Sequence, residues 1–379
     1  MINTNQIHKE LSNSNIKITR LCHKLLDDNF LNANGRIKEE LKFKINIPQF
    51  NIQNSTISGK PEDTFETMLF LPHGEGRQGE GGLRTKGYFK HSYKLVDGKW
   101  FIVDSDNNPV IPAPEVIQSE IKQYLSSNAQ YQKPITELPL ITVITVVYNG
   151  EKYLEETIQS VINQTYPNVE YIIIDGGSTD GTLDIIKKYE HAIDYWVSEP
   201  DRGIYDAMNK GIDVATGDWI NFMNTGDSFF DNVVLEKLFV NNDLEKIDVI
   251  YGNHQVIYTN RKRIAKAGNI EDIWKGSQFC HQSSFVSSRV HKVNKYNLCN
   301  KIGADFELFY VLYKYKKTFK YMDVIVANYS AGGLSDIERI DSIVSRWNVI
   351  EKNTKANLYY SWTVLKEILK SWVKRVVGR

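Results

Sequence analysis

The sequence predicts an α/β protein built on a doubly wound mixed sheet with flanking helices, and three observations predict it. Residues 140–149 (LITVITVVYN) form a nearly continuous β-branched run, the pattern of a parallel strand buried on both faces. Similar runs return at 169–175 (VEYIIID) and 193–200 (IDYWVSEP), each after a stretch with helical periodicity. Polar, glycine-rich segments follow each run, at the carboxyl ends of the strands, where sheets of this kind bind ligands.

The helices between the runs are 151–164, with Tyr153, Leu154, Ile158, Val161 and Ile162 at helical spacing, and 182–192. A turn at Tyr166-Pro167-Asn168 separates the first helix from the second strand. Asp218–Met223 has the length of a further central strand, and helical patterns follow at 231–239 and 304–315. Ahead of this α/β block, residues 1–135 differ in kind. Residues 7–29 carry apolar positions at helical spacing, and 42–53 alternate like a strand. Residues 88–109 form a hairpin turned at Asp97-Gly98. Residues 113–133 are helical and end in a Pro-flanked junction, Lys133-Pro134 to Leu138-Pro139. The expected organisation is a small, mixed or mostly β unit over 1–135, a catalytic domain over 136–336, and a helical tail over 337–379.

Bulk properties narrow the function. A chain of 379 residues accommodates two domains. Lys+Arg and Asp+Glu are equal at 46 each, so no global field favours nucleic acid. Cys22, Cys280 and Cys299 lie far apart, which argues against a disulfide framework or a structural zinc site and suits a reducing compartment. The first residues are polar, and no run approaches the about 18 apolar residues of a membrane span. A soluble or peripheral protein is expected.

Several strand-end segments carry chemistry. Gly74, Gly76, Gly79, Gly81 and Gly82 resemble a phosphate cradle but lack the GK[ST] ending, so a flexible surface loop is expected there. His73 and His91 beside it are expected to be surface or core residues rather than ligands. Asp175, ending the second strand, can accept the ring N–H of a pyrimidine base, and the small residues after it let a ligand approach the backbone. Asp227, just past the fourth strand, can hold a divalent cation that bridges a diphosphate. Taken alone, it or Ser228 is better read as the N-cap of the next helix. A nicotinamide-dependent oxidoreductase shares such a sheet but needs GxGxxG after the first strand, where this chain has Tyr148-Asn149-Gly150-Glu151-Lys152.

Taken together, PLITVITVVYNGEKYLEETIQSVINQTYPNVEYIIIDGGSTDGT and SEPDRGIYDAMNKGIDVATGDWINFMNTGDSF resemble the nucleotide-binding half of family 2 glycosyltransferases, inverting enzymes of the GT-A fold. FCHQSSFVS, IGADFELF and NYSAGGLS resemble the branch that builds bacterial surface polysaccharides. The resemblance spans about residues 138 to 335 and leaves the first 135 uncovered. It implies that Val147, Tyr148 and Asn149 line a nucleoside pocket, that Asp175 reads the base, that Gly177 belongs to the nucleotide site, and that Asp201, Arg202 and Gly203 lie beside the nucleotide. Arg202 can offer a forked donor to the diphosphate.

Asp227 occupies the last position of the family's metal motif, which implies Mn2+ or Mg2+. Where relatives have Asp-x-Asp-Asp, this chain has Asn224-Thr225-Gly226-Asp227, so Asn224 contributes at most an amide oxygen or a contact through water. Asp305 matches the catalytic base, which takes the proton of the attacking acceptor hydroxyl. Glu307 is its rival, turned about 200° away if both lie on one helix. His281 and Gln282 match a pair near the sugars, where His281 bonds a sugar hydroxyl or the leaving phosphate, or is an ordinary core histidine. Trp219 and Trp274 are sugar-stacking faces or packing residues. Gly332-Gly333-Leu334-Ser335 is expected to close over the donor.

The resemblance further implies a UDP-sugar donor, with UDP-glucose and UDP-galactose foremost, and a polyprenyl-diphosphate-linked saccharide acceptor, as in O-antigen or capsule repeat-unit assembly. The alternative is a non-catalytic nucleotide- or glycan-binding protein with a degenerate metal motif. Residues 1–135 suit a carbohydrate-binding or an oligomerisation module. The tail sets Leu365, Ile368, Leu369, Trp372 and Val373 beside Lys366, Lys370, Lys374, Arg375 and Arg379. It suits either an interfacial helix or one packed on the domain. The first of these places the protein in the cytoplasm, peripheral on the inner face of the plasma membrane.

Overall fold

The computed structural model describes residues 68–104, 107–128, 135–332 and 338–377, with short pieces at 21–24, 29, 31–39, 51–53 and 64–66. The helices expected over 7–29 lie largely outside the described residues. Where that stretch is described, His23–Lys24 is a two-residue strand paired with Tyr88–Phe89. Of the strand expected over 42–53, only Asn51–Gln53 is described, paired with Thr64–Glu66.

The described chain runs β1 Gly79–Gly81, β2 Tyr93–Val96, β3 Lys99–Val103, β4 Pro109–Pro112, α1 Glu115–Ser127, β5 Glu137–Leu138 and β6 Ile141–Val147. It continues with α2 Leu154–Ile162, β7 Val169–Asp175, α3 Thr182–Lys188, β8 Tyr195–Ser198, α4 Ile204–Val214, β9 Trp219–Phe222, β10 Ser228–Phe229 and α5 Val234–Phe239. The last elements are β11 Val249–Tyr258, β12 Arg261–Ala265, β13 Ser284–Ser287, α6 Ala304–Lys314, β14 Phe319–Ser330, α7 Arg339–Val349 and α8 Thr354–Val377.

A ten-stranded mixed sheet dominates, in the order β10-β14-β11-β13-β9-β6-β7-β8-β1, with β12 hung on β11. At its centre β9, β6, β7 and β8 run parallel, the strand order of a doubly wound half. All seven residues of β6 and of β7 are buried, because successive side chains enter opposite faces and both faces are covered. On one face Ile141, Val143 and Tyr171 pack with Leu154 and Ile158 of α2 and Ile117 of α1. On the other, Ile144, Ile172 and Ile174 pack with Met208 and Ile212 of α4 and Phe306 of α6.

The region before residue 136 adds to this sheet. β1 pairs antiparallel with β8 at the sheet edge, so, while Gly74 and Gly76 lie in the loop before it, the second half of the glycine-rich segment expected as a flexible surface loop is instead an edge strand. Its glycines are required there: side chains at Gly79 and Gly81 would overlap the Trp196 indole, and Gly82 has φ 100° against the Asp194 carbonyl. Arg84, 2% exposed, donates to Val214 O (2.8 Å) and Leu69 O (3.0 Å) and pairs with Glu170 of β7. Lys90 pairs with Asp194 (2.6 Å), just ahead of β8.

A second sheet, β4-β3-β2-β5, contains the expected hairpin. Both turn residues, Asp97 (φ 49°) and Gly98 (φ 76°), have positive φ, the twist that two-residue hairpins favour. The tail is helical, as α7 and α8. Tyr360 of α8 is buried against Trp347, while Leu358, Trp362 (55%), Leu365, Ile368, Leu369 and Trp372 (62%) are exposed. Among the described residues no helix is long and apolar enough to cross a membrane.

Candidate active site

A cleft of 430 Å³ opens at the carboxyl ends of β6 and β9 and the start of α4, walled by Val147, Tyr148, Asn149, Tyr153, Asp201, Gly203, Ile204, Asn224 and Thr225. The end of β6 is latched to the loop after β7. Asn149 (φ 50°) donates its N–H to Ser178 Oγ (2.7 Å), and its Oδ1 accepts from Thr179 N–H (2.9 Å).

Asp175 lies beneath this latch rather than in the cleft wall. It is 0% exposed, and its carboxylate accepts from Ser178 N–H (3.0 Å), Ser178 Oγ and Ser198 Oγ (2.5 Å). The expectation that it meets the base directly is therefore corrected: it braces the ends of β7 and β8. The carboxylate in the wall is Asp201. Burial pushes its pKa up, against the pull of the Gly203 N–H (2.7 Å) and Lys210. It packs where a side chain at Gly176 would sit, and Gly177 (φ 82°) abuts Pro200. Arg202, between Asp201 and Gly203 of the cleft wall, has a side chain 76% exposed that pairs with Asp206 (2.7 Å).

Past β9, neither Asp227 nor Ser228 caps a helix, since α5 starts only at Val234 and Ser228 opens β10. Asp227 is 8% exposed. It accepts from Gln282 Nε2 (2.7 Å) and Ser330 N–H (3.2 Å). Burial raises its pKa, opposed by those bonds and by His281. Asn224 Oδ1 is buried with no partner, while its Nδ2 donates to His281 Nε2 (3.1 Å). Among the described residues no cluster of three His, Cys, Asp or Glu side chains is placed to hold a metal. One carboxylate and one orphaned amide oxygen fit a hard cation whose remaining ligands are phosphate and water.

His281 joins this edge to Asp305. With Nε2 accepting from Asn224, its Nδ1–H faces Asp305 Oδ2 at 3.4 Å, and Tyr205 Oη approaches Asp305 Oδ1 at 3.4 Å. Asp305 stands in the first turn of α6. Burial pushes its pKa up, but the hydrogen bond and electrostatic pull of His281, the Phe306 N–H and Arg346 outweigh that and hold it below the usual carboxylate range. Glu307 points elsewhere, accepting from Asn297 (2.9 Å) and Asn300 (2.7 Å). Trp219 is buried against Phe239 and Trp274 packs on Tyr359, so both are packing residues. His91 is buried and His73 exposed, as expected. Gly332 has φ 106°; the rest of its loop lies outside the described residues.

Sequence reasoning missed Tyr153, Ile204 and Tyr205. Each sits at a helix start, where an aromatic or apolar residue looks like part of a packing face. The one available signal is that Tyr153 and Ile204 are exposed in the fold although the pattern assigns them to the core.

A family model described as Glycosyl transferase family 2 matches residues 142–306. A PGL/p-HBAD biosynthesis glycosyltransferase of Mycobacterium tuberculosis is 31% identical over 208 residues, 52% of this chain and 80% of the relative. An uncharacterised glycosyltransferase of the same organism is 35% identical over 179 residues, 46% of this chain and 68% of the relative. The mannosyltransferase PcManGT from Pyrobaculum calidifontis, solved with GDP-Man and Mn2+, aligns over 68% of this chain and 83% of its own at 15% identity and a TM-score of 0.47.

Proposed function

The chain belongs to glycosyltransferase family 2, and from that premise we propose that it is an inverting hexosyltransferase using a UDP-sugar, UDP-glucose or UDP-galactose foremost. The acceptor is a hydroxyl of a lipid-diphosphate-linked sugar such as GlcNAc, in O-antigen or capsule repeat-unit assembly. The observation that carries this reading is the run Asn224–His281–Asp305, which links the donor-cleft wall at Asn224 to a carboxylate held low in pKa that lines a small separate cavity with Gln278 and Phe279.

In this reading the nucleoside lies between Tyr148 and the Asp201 wall, and the diphosphate points toward Asn224 and Asp227. The acceptor oxygen forms a bond to the anomeric carbon as the bond to the diphosphate oxygen breaks, inverting that carbon. Asp305 takes the hydroxyl proton, and the pair of electrons leaves with UDP. Asp227 and Asn224 would hold Mn2+ or Mg2+, which when bound neutralises charge on the diphosphate. His281 keeps Asp305 ionised and aimed. The exposed apolar row of α8, interleaved with Lys355, Lys366 and Lys370, supports a peripheral position at the inner face of the plasma membrane, where a lipid-linked acceptor resides.

The test is UDP release from a panel of UDP-sugars, with a synthetic lipid-diphosphate-GlcNAc acceptor and Mn2+ or Mg2+, run beside Asp305→Asn. Acceptor-dependent release that falls about a thousandfold in the variant is expected. Saturable UDP binding without turnover on any donor or acceptor would instead identify a nucleotide-binding protein.

A further inference from the structure

The wall of the donor cleft is braced from outside the segment that the family model matches. Gln78 N–H donates to Ser198 O (2.8 Å), and β1 continues along β8. Between them and Pro72, Arg77 turns inward. Its Nε and Nη2 meet Glu199 Oε2 at 2.8 and 2.7 Å, and its Nη2 also donates to Pro72 O (2.6 Å). The Arg77 and Glu199 side chains are 6% and 7% exposed.

From the opposite side, Lys210 of α4 meets Glu199 Oε1 (2.9 Å) and Pro200 O (3.0 Å). Glu199 is thus gripped between the N-terminal strap and the helix whose first turn walls the cleft. The strap fits closely: a side chain at Gly74 would overlap the Glu199 carboxylate, and one at Gly177 would lie 3.3 Å from Pro200 N and 3.6 Å from Gln78 Nε2. Pro200 leads directly into Asp201.

We propose that Arg77 is a positioning residue of the donor site: by clamping Glu199 from the N-terminal strap, it sets the Pro200–Asp201 turn that walls the nucleotide end of the cleft. The arrangement suits this role, because two guanidinium donors converge on Glu199 Oε2 while Lys210 holds Oε1, so both oxygens of the carboxylate are fixed. Stability alone is a weak reason to keep such a pair, since a buried ion pair gains little over apolar packing. The strap therefore contributes to donor binding without touching the donor. This inference rests on the donor reading above.

The experiment is calorimetric titration of the full chain with UDP and with GDP in the presence of Mn2+, for wild type, Arg77→Gln, Arg77→Lys and Gly74→Ala, each with a thermal melt. Arg77→Gln is expected to weaken nucleotide binding about tenfold, the effect of one lost charge-assisted hydrogen bond on a binding loop. Arg77→Lys should recover part of that loss. Gly74→Ala should weaken binding in the same direction with every charge kept, because it displaces Glu199, and it decides the matter if Arg77→Gln does not fold. In turnover the donor KM rises while kcat at saturating donor changes by less than about twofold.

Wild-type affinity in Arg77→Gln and Gly74→Ala would overturn the proposal. So would losses that merely track the melting temperature, with no rescue by lysine. Wild type that binds neither UDP nor GDP would overturn the donor reading itself, and this inference with it.

Discussion

Asp305 is the residue on which opposing influences meet. Burial alone would raise its pKa and leave it protonated over a wider range of pH, yet His281, the Phe306 N–H and Arg346 together hold it low. Removing His281 leaves burial less opposed, so His281→Ala is expected to move the acid limb of kcat to higher pH and leave its alkaline side in place. A full pH profile of turnover checks this, and an acid limb that stays put shows that His281 does not tune the base. Asn224 and Asp227 were legible as candidates because they follow a strand whose end is recognisable in the chain, whereas His281 and Gln282, which precede β13, were legible only through the family resemblance. Tyr205 was not. It reaches Asp305 across 100 residues of sequence, and nothing in its local pattern separates a site tyrosine from a packing one.

Among the elements, α8 combines a buried anchor with an exposed apolar row. Tyr360 and Ala356 face the core, while Trp362, Leu365, Leu369 and Trp372 face outward. Indole rings at an apolar–water boundary favour a bilayer surface, and neighbouring lysines add attraction to anionic lipid that salt weakens. Trp362→Ser/Trp372→Ser is expected to lower co-sedimentation with anionic phospholipid vesicles roughly tenfold and to leave the melting temperature unchanged, since neither ring is buried. Retained vesicle binding would exclude this face as the contact. The helical character of the tail was legible from periodicity, but which stripe is covered was not. Apolar residues occur around much of the helix, and α7 and residues 270–275 choose the face that is buried.

In the whole molecule, the seam between residues 68–128 and the strands after 136 holds three buried ion pairs, Arg77–Glu199, Arg84–Glu170 and Lys90–Asp194. Burial pushes the Glu170 pKa up, but Arg84 and the bonds from Thr142 and Thr216 outweigh it and hold it low. Its contribution to stability is therefore present near neutral pH and is lost as the pH falls through its folded value. Arg84→Met leaves Glu170 buried and uncompensated, at a cost of about 3–5 kcal/mol. Urea unfolding should report that loss, and Arg84→Met/Glu170→Gln should return most of it. An unchanged urea midpoint in the single variant would mean that the seam does not depend on this pair.

The sequence by itself determined the strands β6, β7, β8 and β9, the helices between the first three and the end of the sheet that carries the chemistry. Those features are written in local periodicity, and a strand buried on both faces leaves an unbroken apolar run. Tertiary structure alone decided that Asp175 lies under the cleft with Asp201 in its wall, that Arg202 turns to Asp206, and that glycines at 79–82 close a sheet edge. Each of these depends on which distant groups compete for the same carboxylate or the same space. Arg77 and Glu199, 122 residues apart, meet only when the fold brings them together.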